Sequence, residues 1–340
     1  MSAGDDADKK AHKTLERMRN VDGGAIHARN FHSSIVGTIA SGPDGDATHA
    51  LGSVTAGDTS SSVPVQGIVP VTKAGKSQNL PVADFVILTT LQIERQSVCN
   101  MFGIGDDDRV IARGRVYWLS RLRLPDGNCY QIVVAQPLSM GILEAEISAE
   151  EAIQLWAPRA VITVGIAVTT RPKEVTLGDV VVGRSVYYYE HGKASQAGAD
   201  PQQFHPEIIT SDVDLLQHSI RVADRVADLL MFVPEPRPDH AEHQPKVHQG
   251  VIAFGQKAIV DAATRDAIAA GHRKILAISM EGLSFSGASR AYAHVSHIDV
   301  RGICDDGSET KDDRWNKYAA SAAASFVRQF LLHQPLRLFT

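Results

Sequence analysis

Three acidic residues stand where an α/β chain places its chemistry. Glu94 follows the apolar run Asp84-Phe-Val-Ile-Leu-Thr-Thr90, Glu281 follows Lys274-Ile-Leu-Ala-Ile278, and Asp305 follows the run from His294 to Ile303. In an open α/β sheet, ligands bind in the crevice beyond the carboxyl ends of the strands. An acid closing an apolar strand is costly to desolvate unless it is paired or functional. Taken singly, each is accounted for as a helix cap or a first-turn acid facing the helix dipole. Taken together, three acids in matching contexts point to one cavity equipped for acid–base chemistry.

The elements that must hold these acids read as alternating strand and helix signals from Ala83 onward. Besides the strands ahead of the three acids, apolar runs predict strands at Tyr130–Ala135, Ala160–Gly165, Leu177–Tyr188 and Val251–Phe254. Helices are predicted over Leu91–Met101, around Ile142, Ala145, Ile153 and Trp156, over Ser211–Met231 with Ser211 or Asp212 as cap, and over Val260–Ala270. A last helix, capped by Asp312, turns Trp315, Tyr318, Ala322, Phe326 and Phe330 inward at spacings of three and four. Such alternation means an α/β domain with a largely parallel sheet, here residues 81–335. Residues 1–80 differ: they carry one aromatic, Phe31, and are rich in Gly, Ser, Thr, Asp and Ala. They cannot bury enough apolar area to offset ordering entropy and are expected to be mostly flexible. Within them, Ser34–Ile39 and Val63–Val69 read either as linker with stray β-formers or as short β-pairing motifs for a recruitment partner.

Composition removes several classes of function. The net charge is −5 over 340 residues, so no electrostatic footprint for nucleic acid is present. No apolar run is long enough to span a bilayer, and the polar start MSAGDDADKKAHK has no signal-peptide core. Three cysteines without CxxC spacing argue against a disulfide framework and a structural zinc site, and a reducing cytoplasmic setting follows as the simplest expectation. Gly75-Lys76-Ser77 lacks the glycine five residues earlier that a phosphate loop needs, since Pro70 stands there. Gly282–Gly287 lacks the spacing of a nucleophile elbow, and no GxGxxG follows a strand, so a nicotinamide cofactor has no support. His240, His243 and His248, in the Pro-rich stretch 234–248, read as solvated histidines of a surface loop rather than metal ligands.

Six segments resemble a known family: VILTTLQIE (Val86 to Glu94), SMGILEA (Ser139 to Ala145), VITVGIAV (Val161 to Val168), LGDVVVG (Leu177 to Gly183), ISMEG (Ile278 to Gly282) and VRGICD (Val300 to Asp305). Together they make residues 84–333 similar to the nucleoside phosphorylase and nucleosidase superfamily. The pattern is nearest the 5′-methylthioadenosine/S-adenosylhomocysteine nucleosidase branch and its relatives that serve as effector domains in immune and antiviral proteins. Met-Glu-Gly and Arg-Gly-x-x-Asp are the specific carriers, with Glu281 and Asp305 standing 24 residues apart in the family's order. The resemblance implies a three-layer sandwich with a central mixed, mostly parallel sheet flanked by helices. It implies a reaction too, since cleaving a purine N-glycosidic bond passes through an oxocarbenium-like transition state, as glycoside hydrolysis does. By the same resemblance, Asp305 matches the acid that serves the purine N7 and Glu94 the glutamate that activates water. Glu281 matches the acceptor of ribose hydroxyls, and Met280 packs on the sugar face. Gly165, Ile166 and Ala167 let backbone approach the ligand, and Ile259 stands beside the base. No metal or redox cofactor is implied, and relatives form homo-oligomers whose pockets a neighbour often completes.

The departures carry information of their own. Gly165-Ile-Ala-Val-Thr-Thr170 stands where the family is richer in glycine, so Val168 narrows or reshapes the pocket. In Gly255-Gln-Lys-Ala-Ile259, Ala258 replaces a base-stacking aromatic and Lys257 adds a cation; Arg171 and Lys173 follow the glycine-bearing strand. Cations at these positions either remain solvated or hold a 5′-phosphate chain, which points to a phosphorylated substrate such as ATP, AMP or dATP. The reading that follows is a hydrolase acting on adenine-type nucleosides or nucleotides. A phosphorylase using inorganic phosphate and a non-catalytic purine-sensing module are the alternatives. Glu94 disfavours the first, since a carboxylate repels phosphate and suits water; retention of all three acids disfavours the second.

Overall fold

The computed structural model describes residues 81–190, 207–226, 232–242, 244–280, 292, 294–308 and 312–336. Both β-forming islands of residues 1–80, the 282–287 segment, His243 and Glu281 lie outside the described residues. The chain runs β1 (Phe85–Leu88), α1 (Gln92–Phe102), β2 (Arg109–Ala112), β3 (Arg115–Arg123), β4 (Cys129–Ala135), α2 (Ile142–Trp156), β5 (Ala160–Thr169) and β6 (Val180–Tyr188). It continues through β7 (Glu207–Thr210), α3 (Val213–Val226), β8 (Val247–Phe254), α4 (Ala262–Ala270), β9 (Ile275–Ser279), β10 (Ser296–Asp305) and α5 (Arg314–Leu332).

Side chains of a strand alternate between its two faces, and β1 divides accordingly. Phe85 and Ile87 join one buried cluster with Val98 and Phe102 of α1 and Ala322, Phe326 and Phe330 of α5. Val86 and Leu88 join another, closed by Ala145, Ala149, Ala152 and Trp156 of α2. A strand apolar on both faces must be covered on both, and the outcome is three layers with the sheet in the middle. No helix among the described residues is long and apolar enough to cross a membrane.

The strand order is β10-β6-β8-β9-β5-β1-β4-β3-β2, with β7 on β6 and a further pairing of β10 to β5. β5 explains this closure. It pairs in parallel with β1 on one edge and β10 on the other, then turns its last residues to β9, with Val168 opposite Ile278 and Thr169 opposite Ala277 in antiparallel register. Strands β5, β10, β6, β8 and β9 thereby form a ring. All five contribute to one buried cluster through Ala167, Ile303, Val181, Ile252, Phe254 and Ala277.

The sheet is mixed, and less parallel than strand–helix alternation implies: five of the ten pairings among the described residues are antiparallel. Two of these come from β2 and β3, which the apolar-run reading passed over. Charged residues interrupt their apolar positions, but Arg113-Gly114, both at positive φ (51° and 80°), make the two-residue hairpin turn that joins them. The predicted loop 234–248 ends early as well. His248 belongs to β8, and its Nε2 lies 3.0 Å from Asp179 Oδ2, so it is a paired histidine rather than a solvated one.

Candidate active site

β1 stops opposite Thr163, while β5 continues to Thr169. The predicted strand Ala160–Gly165 is therefore too short, and Gly165, Ile166 and Ala167 lie within β5 rather than beyond it. Past the end of β1, the β5 edge has backbone groups that no β1 residue reaches. Glu94, in the first turn of α1, takes up one of them: its Oε1 accepts the Ile166 N–H at 2.9 Å. Its Oε2 accepts the N–H groups of Thr90 and Leu91, each at 2.8 Å. One carboxylate thus caps its own helix and bridges to β5.

Glu94 is buried, and burial pushes its carboxyl above the ordinary glutamate range. Arg301 and the three backbone N–H groups pull the other way without cancelling that shift. Arg301, in the middle of β10, is itself almost fully buried and bidentate on Asp299, at 2.7 Å and 3.2 Å. Its guanidinium lies 5.5 Å from the ring centroid of Phe254. Gly165 is the point at which Glu94 and Arg301 meet. A Cβ there would overlap Arg301 Nη1 and stand 2.7 Å from Glu94 Oε1, so this position admits no side chain. On the same stretch of β10, His297 Nε2 lies 3.1 Å from Thr163 Oγ1, and burial drives its pKa down to about 4.

Asp305 reaches the same strand from the other side. It is the last residue of β10 and registers opposite Val168, after a bulge between Ile303 and Asp305. Bulges re-aim side chains and often adjoin functional sites. Asp305 is buried, and its Oδ1 accepts the Gly307 N–H at 2.7 Å. Glu94 and Asp305 are thus anchored to β5 two residues apart, at Ile166 and Val168. Met280 is half-buried just past β9, where the antiparallel register with β5 carries the chain back toward Ile166.

Other predicted residues fall elsewhere. Ile259 is buried in a core cluster with Tyr187, Ile275 and Ile278, and Lys257 is exposed in the segment after β8. Arg171 departs from the phosphate-clamp expectation. Because β9 runs antiparallel to β5, the end of β5 meets the beginning of β9, the end remote from Met280. There Arg171 donates to the carbonyl of Arg273 and pairs with Glu174 at 3.2 Å. Sequence reasoning missed Arg301 and its partner Asp299, although a charged pair inside the apolar run HIDVRGIC was the available signal. It also missed Tyr189, whose hydroxyl is buried beside Gly255 without a hydrogen-bond partner among the described residues. No cluster of His, Cys, Asp and Glu suited to a metal occurs among the described residues.

Known proteins are similar to this chain in sequence or in fold. ATP nucleosidase Cap17 of Escherichia coli (strain KTE188) is 29% identical over 273 residues, 76% of this chain and 53% of that protein. A death domain-containing ATP nucleosidase of Amphimedon queenslandica is 23% identical over 198 residues, 56% of this chain and 37% of its own. The chain therefore spans about half the length of Cap17, and less of the sponge protein. Among solved structures, futalosine hydrolase of Helicobacter pylori superposes with a TM-score of 0.58 at 18% identity, over 74% of this chain and 97% of that one. The Neisseria meningitidis 5′-methylthioadenosine/S-adenosylhomocysteine nucleosidase gives 0.57 at 20%, over 73% and 99%. These structures share the fold. Residues 84–332, from the start of β1 to the end of α5, match the phosphorylase superfamily, and the chain belongs to it.

Proposed function

We propose that this domain is a purine N-glycosidase that hydrolyses adenine-type nucleosides or nucleotides, with ATP a favoured substrate. The observation that carries the reading is the meeting of Glu94 and Arg301 over Gly165 of β5, with Asp305 at the end of β10 opposite Val168 of the same strand. The relatives named ATP nucleosidase lend it the substrate class.

The chemistry follows from the two carboxyl groups. Glu94, held by three N–H donors and an adjacent cation, is positioned to take a proton from water as it attacks the anomeric carbon. Its upward-shifted pKa brings it nearer the pH at which a general base is effective. Asp305 supplies the proton that the departing purine needs at N7, so that the base leaves neutral. Glu281 and Met280, which follow β9 directly, serve the ribose.

The test is incubation of the full chain with nucleosides and nucleotides in phosphate-free buffer, with free base separated by chromatography. Adenine release from ATP is expected, and D305N should abolish it while leaving the circular dichroism spectrum unchanged. Release that requires added phosphate would identify a phosphorylase. No release under either condition would leave a binding module.

A further inference from the structure

The misplaced Arg171 leads to a second site. We propose that the cavity between the N-terminal half of α3 and the beginning of β9 binds a phosphorylated small molecule of nucleotide size. The cavity holds about 550 Å³, within the range of roughly 300–1,000 Å³ typical of small-molecule pockets. Its rim carries Arg171, Arg184, Arg273 and Lys274, of which the last three are exposed. None of its sixteen described lining residues is acidic, although the chain as a whole has a net charge of −5. Glu174, outside the lining, offsets Arg171 in part, whereas Arg184, Arg273 and Lys274 have no ion pair among the described residues. Arginine and lysine together are the usual receptors of phosphate oxygens.

The floor has a different character. Leu216 and Ile220 on α3 face Leu276 on β9, and Val213 at the mouth is 68% exposed. An apolar floor beneath a cationic rim suits an anion with a flat or apolar body better than a free inorganic ion. The hydroxyl of Thr210 and the amide of Gln217 also line the cavity and offer hydrogen bonds to such a body. A nucleotide meets all these requirements: phosphates at the rim, base over the floor.

This cavity is separate from the acid site. None of Glu94, Gly165, Met280, Arg301 and Asp305 lines the cavity, which meets β9 at Leu276, whereas Met280 stands four positions, roughly 13 Å at about 3.3 Å each, further along the chain. Occupancy here therefore requires neither Glu94 nor Asp305.

The experiment is calorimetric titration of the full chain with ADP and, separately, with inorganic pyrophosphate. It compares the unaltered protein, R184E/K274E at this cavity, and E94Q at the acid site. Expected is a class of ADP sites whose affinity falls at least tenfold in R184E/K274E and is unchanged in E94Q. Pyrophosphate should bind the same class more weakly than ADP, because it leaves the floor empty. Base release by R184E/K274E should match that of the unaltered protein. ADP binding that is untouched by R184E/K274E, or confined to a class lost in E94Q, would overturn the proposal. Should R184E/K274E fail to fold, R184A and K274A replace it, each expected to weaken ADP at least threefold; no change in either would equally overturn it. Failure here leaves base release intact, so the two proposals stand or fall separately.

Discussion

Gly165 sets the tolerance of the candidate active site. Any Cβ there collides with Arg301 and Glu94, and both are too well anchored to yield cheaply. Displacing catalytic groups by about 1 Å can cost on the order of 100-fold in rate. Gly165→Ala should therefore lower base release about 100-fold with an unchanged far-ultraviolet spectrum; activity within twofold of the unaltered protein would show that the contact is soft. His297 makes a second prediction at this scale. Its folded pKa of about 4 lies below the ordinary 6.5. The unfolded chain thus binds a proton that the folded chain refuses, and stability falls as pH drops from 6.5 toward 4, by on the order of 3 kcal/mol. Glu94 works oppositely, since its folded pKa is raised and protonation favours the folded chain. Urea unfolding of His297→Gln against the unaltered protein isolates the histidine: the substitution should flatten the decline between pH 6.5 and 4, and parallel curves would refute it.

At the scale of elements, the site depends on how closely α5 lies on β10. Gly302 is next to Arg301, on the opposite face of the strand, and a Cβ there would overlap the Ala319 carbonyl oxygen of α5. Ala319, Ala320, Ala322, Ala323 and Ala324 keep that side of the helix thin enough for the approach. The obstacle at Gly302 is backbone, which cannot rotate away, so Gly302→Ala is expected to destabilise the domain by about 3 kcal/mol, at the upper end for overpacking. Guanidinium denaturation measures it, and a loss below about 1 kcal/mol would mean that α5 shifts freely. On the opposite face of β10, the Arg301–Asp299 pair is buried beside Gly165 and Phe254. A charged pair so enclosed is costly to form and more costly to break, because either partner alone is an uncompensated charge. A pair retained at that cost beside Glu94 fits a role in the site better than a role in stability.

Across the whole molecule, the exposed apolar side chains are unevenly placed. Leu138, Met140, Leu143 and Ile147 lie close together on the segment after β4 and the start of α2, with Leu138 75% and Leu143 72% exposed. Contiguous apolar surface of this kind marks an interaction site. Self-association through α2 is expected, consistent with the homo-oligomer anticipated from sequence. Sedimentation velocity should show Leu143→Glu shifted toward the monomer relative to the unaltered chain, and an unaltered chain that is monomeric at micromolar concentration would exclude it. α2 leads directly into β5, which carries Gly165.

Much of this was legible in the amino-acid order because it is local. Apolar periodicity located most strands and helices, assigned the inward faces of α2 and α5, and put Glu94 and Asp305 at strand ends. Motif spacing was enough to indicate the superfamily. What the tertiary structure decided concerns residues far apart in the chain. It extended β5 beyond the end of β1, which opened the edge that Glu94 occupies. It set β9 antiparallel to β5, which carried Arg171 away from Met280 and into a second cavity. It also brought Arg301, 207 positions after Glu94, to the same glycine. Periodicity states which face of a strand is buried. Register between distant strands is fixed by pairing and by the volumes that fit between them, and neither is written in any short stretch of sequence.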